Sequence, residues 1–98
     1  RSMKAILEYG LNIGSNTIQL HKNSKLLHVN FQRVDDKEDT FGCALYVLAD
    51  EKEELEERSI VVVATEELIC SESDNDLEYI NSCRMGDDVI MFHAFELK

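Results

Sequence analysis

The sequence predicts an all-β domain of about seven antiparallel strands, folded as a small sandwich or an open barrel. Three observations carry that expectation. Apolar residues recur with a period of two, or in short unbroken runs rich in Val, Ile, Phe and Tyr. Polar or glycine-containing turn signals interrupt the chain at intervals of roughly 8–14 residues. The 98 residues, 44% of them hydrophobic, suffice for one core and show no repeat, linker or second domain.

Met3 to Leu11 reads as the first strand, followed by a turn at Ile13-Gly14-Ser15-Asn16. Thr17 to His21 alternates, with Ile18 and Leu20 on one face and Gln19 and His21 on the other. After the polar turn Lys22-Asn23-Ser24-Lys25, Leu26 to Arg33 is the cleanest one-sided strand. Its apolar face is Leu27, Val29 and Phe31, and its polar face is His28, Asn30 and Gln32. Val34 to Asp39 is a charged hairpin loop. Thr40 to Leu48 then forms a continuous apolar strand, of the kind found in the centre of a sheet and covered on both faces.

Asp50 to Glu57 is compatible with one helical turn or an extended acidic loop, because only Leu55 offers an apolar side chain. Ser59 to Thr65 is the strongest strand by its β-branched content. A long acidic connection, Glu66 to Glu78, leads to a strand over Leu77 to Met85. Gly86-Asp87-Asp88 is a hairpin turn. In the last strand, Val89 to Leu97, Val89, Met91, His93 and Phe95 share one face, and Ile90, Phe92 and Ala94 the other. The chain has no proline, so its sheet edges need charge, bulges or pairing with another subunit.

Charge is unevenly distributed. Residues 1–34 hold five cations against Glu8, and residues 35–98 hold nineteen acids against five cations, giving the net −10. Folding that keeps the halves apart would give two electrically different faces. A net −10 argues against a general nucleic-acid binder, which gains affinity by neutralising phosphates. No apolar run approaches the roughly 20 residues of a membrane span, and no secretory signal is apparent at the N-terminus. Arg1-Ser2 before Met3 reads as a cloning remnant, so the expected domain is 3–98. Three cysteines, an odd number without a CxxC pair, point to a reducing cytosol and to structural thiols.

Met3-Lys4-x-Ile6, Asn16 to Leu20, Lys25 to Val29, Cys43 to Val47, Glu57 to Ile60, Leu77 to Ile80 and Val89 to Glu96 run in order along the chain. This pattern resembles an uncharacterised family of short phage and prophage proteins over nearly the full length from Met3. Members of that family carry a Trp in the strand near 44–47, Gly-Thr-Gly-His near 65–68, and Gly-Gly before the last strand. This chain has no Trp, has Thr65-Glu66-Glu67-Leu68, and has Gly86-Asp87. The shared positions are mostly core-forming and imply a common fold. The resemblance also implies a phage-encoded origin, acting in the cytoplasm of the infected bacterium, and it supplies no active site.

The candidate sites follow from charge. Asp35, Asp36, Glu38, Asp39, Glu51, Glu53, Glu54, Asp74 and Asp76 cluster on expected loop tips. Solvated loop carboxylates explain solubility; an acidic docking face for a basic surface of a host protein is the functional reading. Catalysis needs two carboxylates held in different environments, which nothing in the spacing provides. Asp74-Asn75-Asp76 lacks the glycine and terminal glutamate of a calcium loop. His21, His28 and His93 have no zinc-site spacing and read as sheet histidines. Tyr9, Lys22, Lys25, Arg33, Arg58 and Arg84, with Phe41, Tyr46, Tyr79 and Phe92, form the alternative set, suited to a nucleotide messenger.

The resulting expectation is a non-enzymatic binding protein that antagonises a bacterial antiviral defence protein, with no cofactor and a homo-oligomeric state. The alternatives are sequestration of a nucleotide signal in a pocket at a subunit interface, and an accessory role in virion structure or assembly.

Overall fold

The computed structural model describes residues 3–35, 40–66, 76–84 and 91–98, with the backbone alone for 31–35 and for 40 and 41. These form seven strands: β1 (Ala5–Leu11), β2 (Gly14–His21), β3 (Lys25–Asp35), β4 (Thr40–Ala49), β5 (Leu55–Ala64), β6 (Leu77–Arg84) and β7 (Met91–Leu97). All pair antiparallel, in a three-stranded sheet of order β1-β4-β3 and a four-stranded sheet of order β2-β5-β7-β6. The architecture is a small sandwich, as expected, and not a closed barrel. The described residues contain no helix long and apolar enough to cross a membrane.

The core lies between the sheets. Leu45 and Val47 of β4, Val29 of β3, Leu20 of β2, and Ile60 and Val62 of β5 are the largest fully buried side chains. The central place expected for Thr40 to Leu48 holds, since β4 lies between β1 and β3. Its inward residues Cys43, Leu45, Val47 and Ala49 are buried, and Tyr46 and Leu48 on the outward side are half-buried. The parity of the last strand also holds: Phe92, Ala94 and Glu96 are buried, alternating with half-buried Met91, His93 and Phe95.

Three expectations change. Of the expected turn Ile13-Gly14-Ser15-Asn16, the last three residues are strand, since β2 begins at Gly14 and pairs Ser15 with Val61 and Asn16 with Ile60. In β3 the register slips between Leu26 and His28, so Leu26 and Val29 face the core and Leu27 is exposed. A bulge adds one residue and turns the following side chains over, which simple alternation does not foresee. The segment 50–57 is neither a helical turn nor wholly a loop, because β5 begins at Leu55. Cross-strand partners on β2 (His21 opposite Leu55, Gln19 opposite Glu57) hold these polar residues extended.

The chain changes sheets three times, through the β4–β5 loop and at two tight corners. Between β1 and β2, the Asn12 N–H donates to Asn16 Oδ1 at 2.8 Å, and Asn16 Nδ2 donates back to the Asn12 carbonyl at 2.8 Å. Gly14 follows with φ of 106°, a conformation that a side chain would strain. Between β2 and β3, Asn23 takes φ of 65° and Ser24 N–H donates to the His21 carbonyl at 3.2 Å. These crossings interleave the two halves of the chain. β1 and β3 flank β4, and β2 flanks β5, so the charge division of the sequence does not become two separate sheets.

Candidate functional site

Alternation along β5 aims Arg58, Ile60 and Val62 at the interior, and along β7 it does the same for Glu96 and Ala94. Arg58 and Glu96 therefore meet at one end of the core. Arg58 Nε and Nη2 donate to the two Glu96 carboxylate oxygens at 2.5 and 2.8 Å, and Nη1 donates to the Ser24 carbonyl at 2.8 Å. Glu96 and Ser24 are buried. The hydrogen bonds to Glu96 raise the Arg58 pKa above its ordinary value, against the lowering effect of burial. One guanidinium thus ties β5, β7 and the β2–β3 turn together.

An open cleft of about 820 Å³ spreads over this node, from the β2–β3 turn to the first residues of β6 and the last of β7. Its wall carries Glu56, Glu57, Glu78 and Glu96 against Lys25, Arg58 and Lys98. Arg58 is held by Glu96, and Lys98 Nζ lies 2.6 Å from Glu78, whose carboxyl is held below its ordinary pKa by that hydrogen bond. The β4–β5 loop adjoins the cleft. Lys22 N–H donates to the Glu54 carbonyl at 2.7 Å, Lys22 Nζ lies 3.4 Å from Glu54, and His21 Nδ1 lies 2.8 Å from the Glu53 carbonyl. The turn starts where Asp50 Oδ1 accepts the Lys52 N–H at 3.0 Å.

This end of the sandwich gathers nine described carboxylates (Asp50, Glu51, Glu53, Glu54, Glu56, Glu57, Asp76, Glu78 and Glu96) against six cations (Lys4, Lys22, Lys25, Lys52, Arg58 and Lys98), Lys4 lying one residue before Ala5, the partner of Ala49. Of the acidic residues singled out from sequence, Glu51, Glu53 and Glu54 are exposed here, and Asp76 precedes β6 across β7 from β5, its carbonyl accepting the Lys98 N–H at 2.8 Å. Asp35 ends β3 at the other end of the sheet, roughly 30 Å away along the ten residues of β4. Asp36, Glu38, Asp39 and Asp74 lie outside the described residues.

The cationic set is dispersed. Lys25 and Arg58 share the cleft. Lys22 pairs with Glu54. Tyr9 packs against the core from β1. Arg84 is exposed at the far end of the eight-residue β6, four residues and roughly 13 Å beyond Ile80 in the cleft wall. The Arg33 side chain is outside the described part.

A second arrangement was not foreseen. On the outer face of the four-stranded sheet, Thr65 Oγ1 lies 2.7 Å from His93 Nε2, His93 Nδ1 2.6 Å from Ser82 Oγ, and Ser82 Oγ 2.6 Å from Tyr79 Oη. The Thr65 hydroxyl also lies 3.3 Å from the Met91 carbonyl. Donor and acceptor roles along this chain of contacts follow the His93 tautomer. His93 is a satisfied sheet histidine, as its sequence context implied. Among the described residues no three His, Cys, Asp or Glu side chains converge as a metal site.

Cys43 is buried and free, and burial, helped by nearby Cys83, pushes its pKa from 9.0 to about 11. It is an inert core thiol, in keeping with its apolar sequence context. No curated protein and no solved structure matches the chain. A model of a family described as "Domain of unknown function (DUF7352)" matches residues 3–98. The span agrees with a near full-length resemblance to an uncharacterised family, and the chain belongs to this one.

Proposed function

We propose that this chain is a phage-encoded protein that acts in the bacterial cytoplasm by binding, without catalysis. Its target is a basic surface on a host protein, with an antiviral defence component as the partner class. The observation that carries this reading is the acidic end of the sandwich. There, nine described carboxylates outnumber six cations, and Lys22, Arg58 and Lys98 are each engaged by a carboxylate of the same end. Such a field attracts a basic surface and repels phosphates. The docking residues are Glu51, Glu53, Glu54 and Asp76, with Glu56 and Glu57 beside them.

Nucleotide sequestration finds less support. Its cations are spread over both ends of the fold, and Arg58 is held by Glu96. The test is affinity capture from a bacterial lysate at low salt, read by native mass spectrometry. A stoichiometric host protein that salt releases, and that Glu51→Lys/Glu53→Lys/Glu54→Lys no longer retains, supports acidic docking. Retention that ignores this triple change, or a bound small molecule in place of a protein, overturns it.

A further inference from the structure

β1 is the open edge of the three-stranded sheet. It pairs with β4 on one side, and among the described residues no strand lies along the other. The remaining edges are occupied or polar. β3 is tied to β6 through Asn81, and β2 exposes Ser15, Thr17 and Gln19. β1 carries neither a bulge nor a proline, since its register with β4 is unbroken and the chain contains no proline; its edge charges are one Lys4 and one Glu8, of opposite sign. Met3 and Ile6, the two most exposed large apolar side chains among the described residues, lie beside and within it, at 77% and 65% exposure.

We infer that β1 pairs antiparallel with β1 of a second copy of this chain about a two-fold axis at Ile6. The two three-stranded sheets become one continuous sheet of six. Charge selects the register. Lys4, Ile6 and Glu8 are exposed on the outward face, alternating with Ala5, Leu7 and Tyr9 on the inward side. An isologous pairing that keeps like faces together is centred on a residue. Centring on Glu8 sets the two Glu8 carboxylates against each other, and centring on Leu7 sets Ile6 against Glu8. Centring on Ile6 packs Ile6 on its mate and sets each Lys4 opposite the other copy's Glu8, giving two ion pairs. The same register brings Met3 of each copy against Tyr9 of the other and covers both exposed apolar side chains.

This inference stands apart from acidic docking and survives its failure. The test is sedimentation equilibrium on four proteins: the native chain, Lys4→Glu, Glu8→Lys and the double swap. The expected result is a dimer for the native chain and a dissociation constant raised about tenfold or more by either single change, each of which creates two like-charge oppositions. The double swap restores dimerisation, because the complementary pairs return with their signs exchanged. Both substitutions are at exposed positions, and circular dichroism verifies that each of the three variants retains its strands. A monomeric native chain overturns the proposal, and so does a dimer indifferent to the single changes or a double swap that fails to recover.

Discussion

Asn81 and Val29 are joined by two hydrogen bonds. The Val29 N–H donates to Asn81 Oδ1 at 2.7 Å, and Asn81 Nδ2 donates to the Val29 carbonyl at 2.9 Å. An amide side chain here takes the place of a neighbouring strand at the edge of β3. It does so because the β6–β7 register slips between Tyr79 and Asn81, which turns Asn81 inward across the gap between the sheets. An asparagine pair, Asn12–Asn16, likewise holds the β1–β2 corner.

Replacing Asn81 therefore strands a buried backbone donor and acceptor. Asn81→Ala is expected to cost about 2–3 kcal/mol, since Val29 is 1% exposed and water reaches its peptide groups poorly. Asn81→Asp keeps the acceptor for the Val29 N–H but opposes its carbonyl with a carboxylate. It is expected to be comparably destabilised at neutral pH and to recover in part at low pH, where the protonated acid can donate. Urea denaturation of the three proteins at two pH values checks both statements.

The Arg58–Glu96 pair gives a different signature. Its side chains are 17% and 8% exposed, so removing one partner leaves a poorly solvated charge. Glu96→Ala is expected to cost about 3–5 kcal/mol, and Arg58→Met/Glu96→Leu considerably less than the two single changes added together. A thermodynamic double-mutant cycle measures the coupling. Raising salt should change the native protein's stability little through this pair. The exposed Lys22–Glu54 pair should be screened almost completely.

Cys43 predicts an alkaline limit on stability. Its pKa is raised from 9.0 in the unfolded chain to about 11 in the fold. The neutral thiol is the form the fold favours, so this contribution is fully present below pH 9. It is lost as pH climbs through 11. Cys43→Ala is expected to flatten the stability profile between those values while lowering stability overall through the small cavity it leaves. Thiol titration with a disulfide reagent at pH 8 should show Cys43 reacting at the rate of global unfolding. A burst of reactivity from Cys43 in the native state would contradict its burial.

Much of the fold could be read along the chain because a strand half buried in a sandwich writes its two faces into alternate residues. Phe92, Ala94 and Glu96 on one side and Met91, His93 and Phe95 on the other follow that rule directly. The same parity holds the signal for the central ion pair: Glu96 shares the face of Ala94, and Arg58 that of Ile60. A charged residue on an apolar face implies a buried partner. Leu27 escaped, because a bulge is set by how β3 and β4 curve against each other and leaves no mark in the alternation. The start of β5 escaped because Glu56 and Glu57 are extended through pairing with β2, against their own helical preference.

The sequence by itself determined the all-β class, the number of strands, the face on which most side chains lie, and the buried character of Cys43. These depend on a residue and its near neighbours, and local periodicity carries them. Only the tertiary structure decided which strands became neighbours. It carried the basic N-terminal segment into both sheets and joined Arg58 to Glu96 across 38 residues and Asn81 to Val29 across 52. It also left the edge of β1 open and put the β4–β5 carboxylates at the opposite end of the sheet from Asp35. Alternation says which way a side chain points. What it points at depends on strand order, which is set by the joint burial of all seven strands.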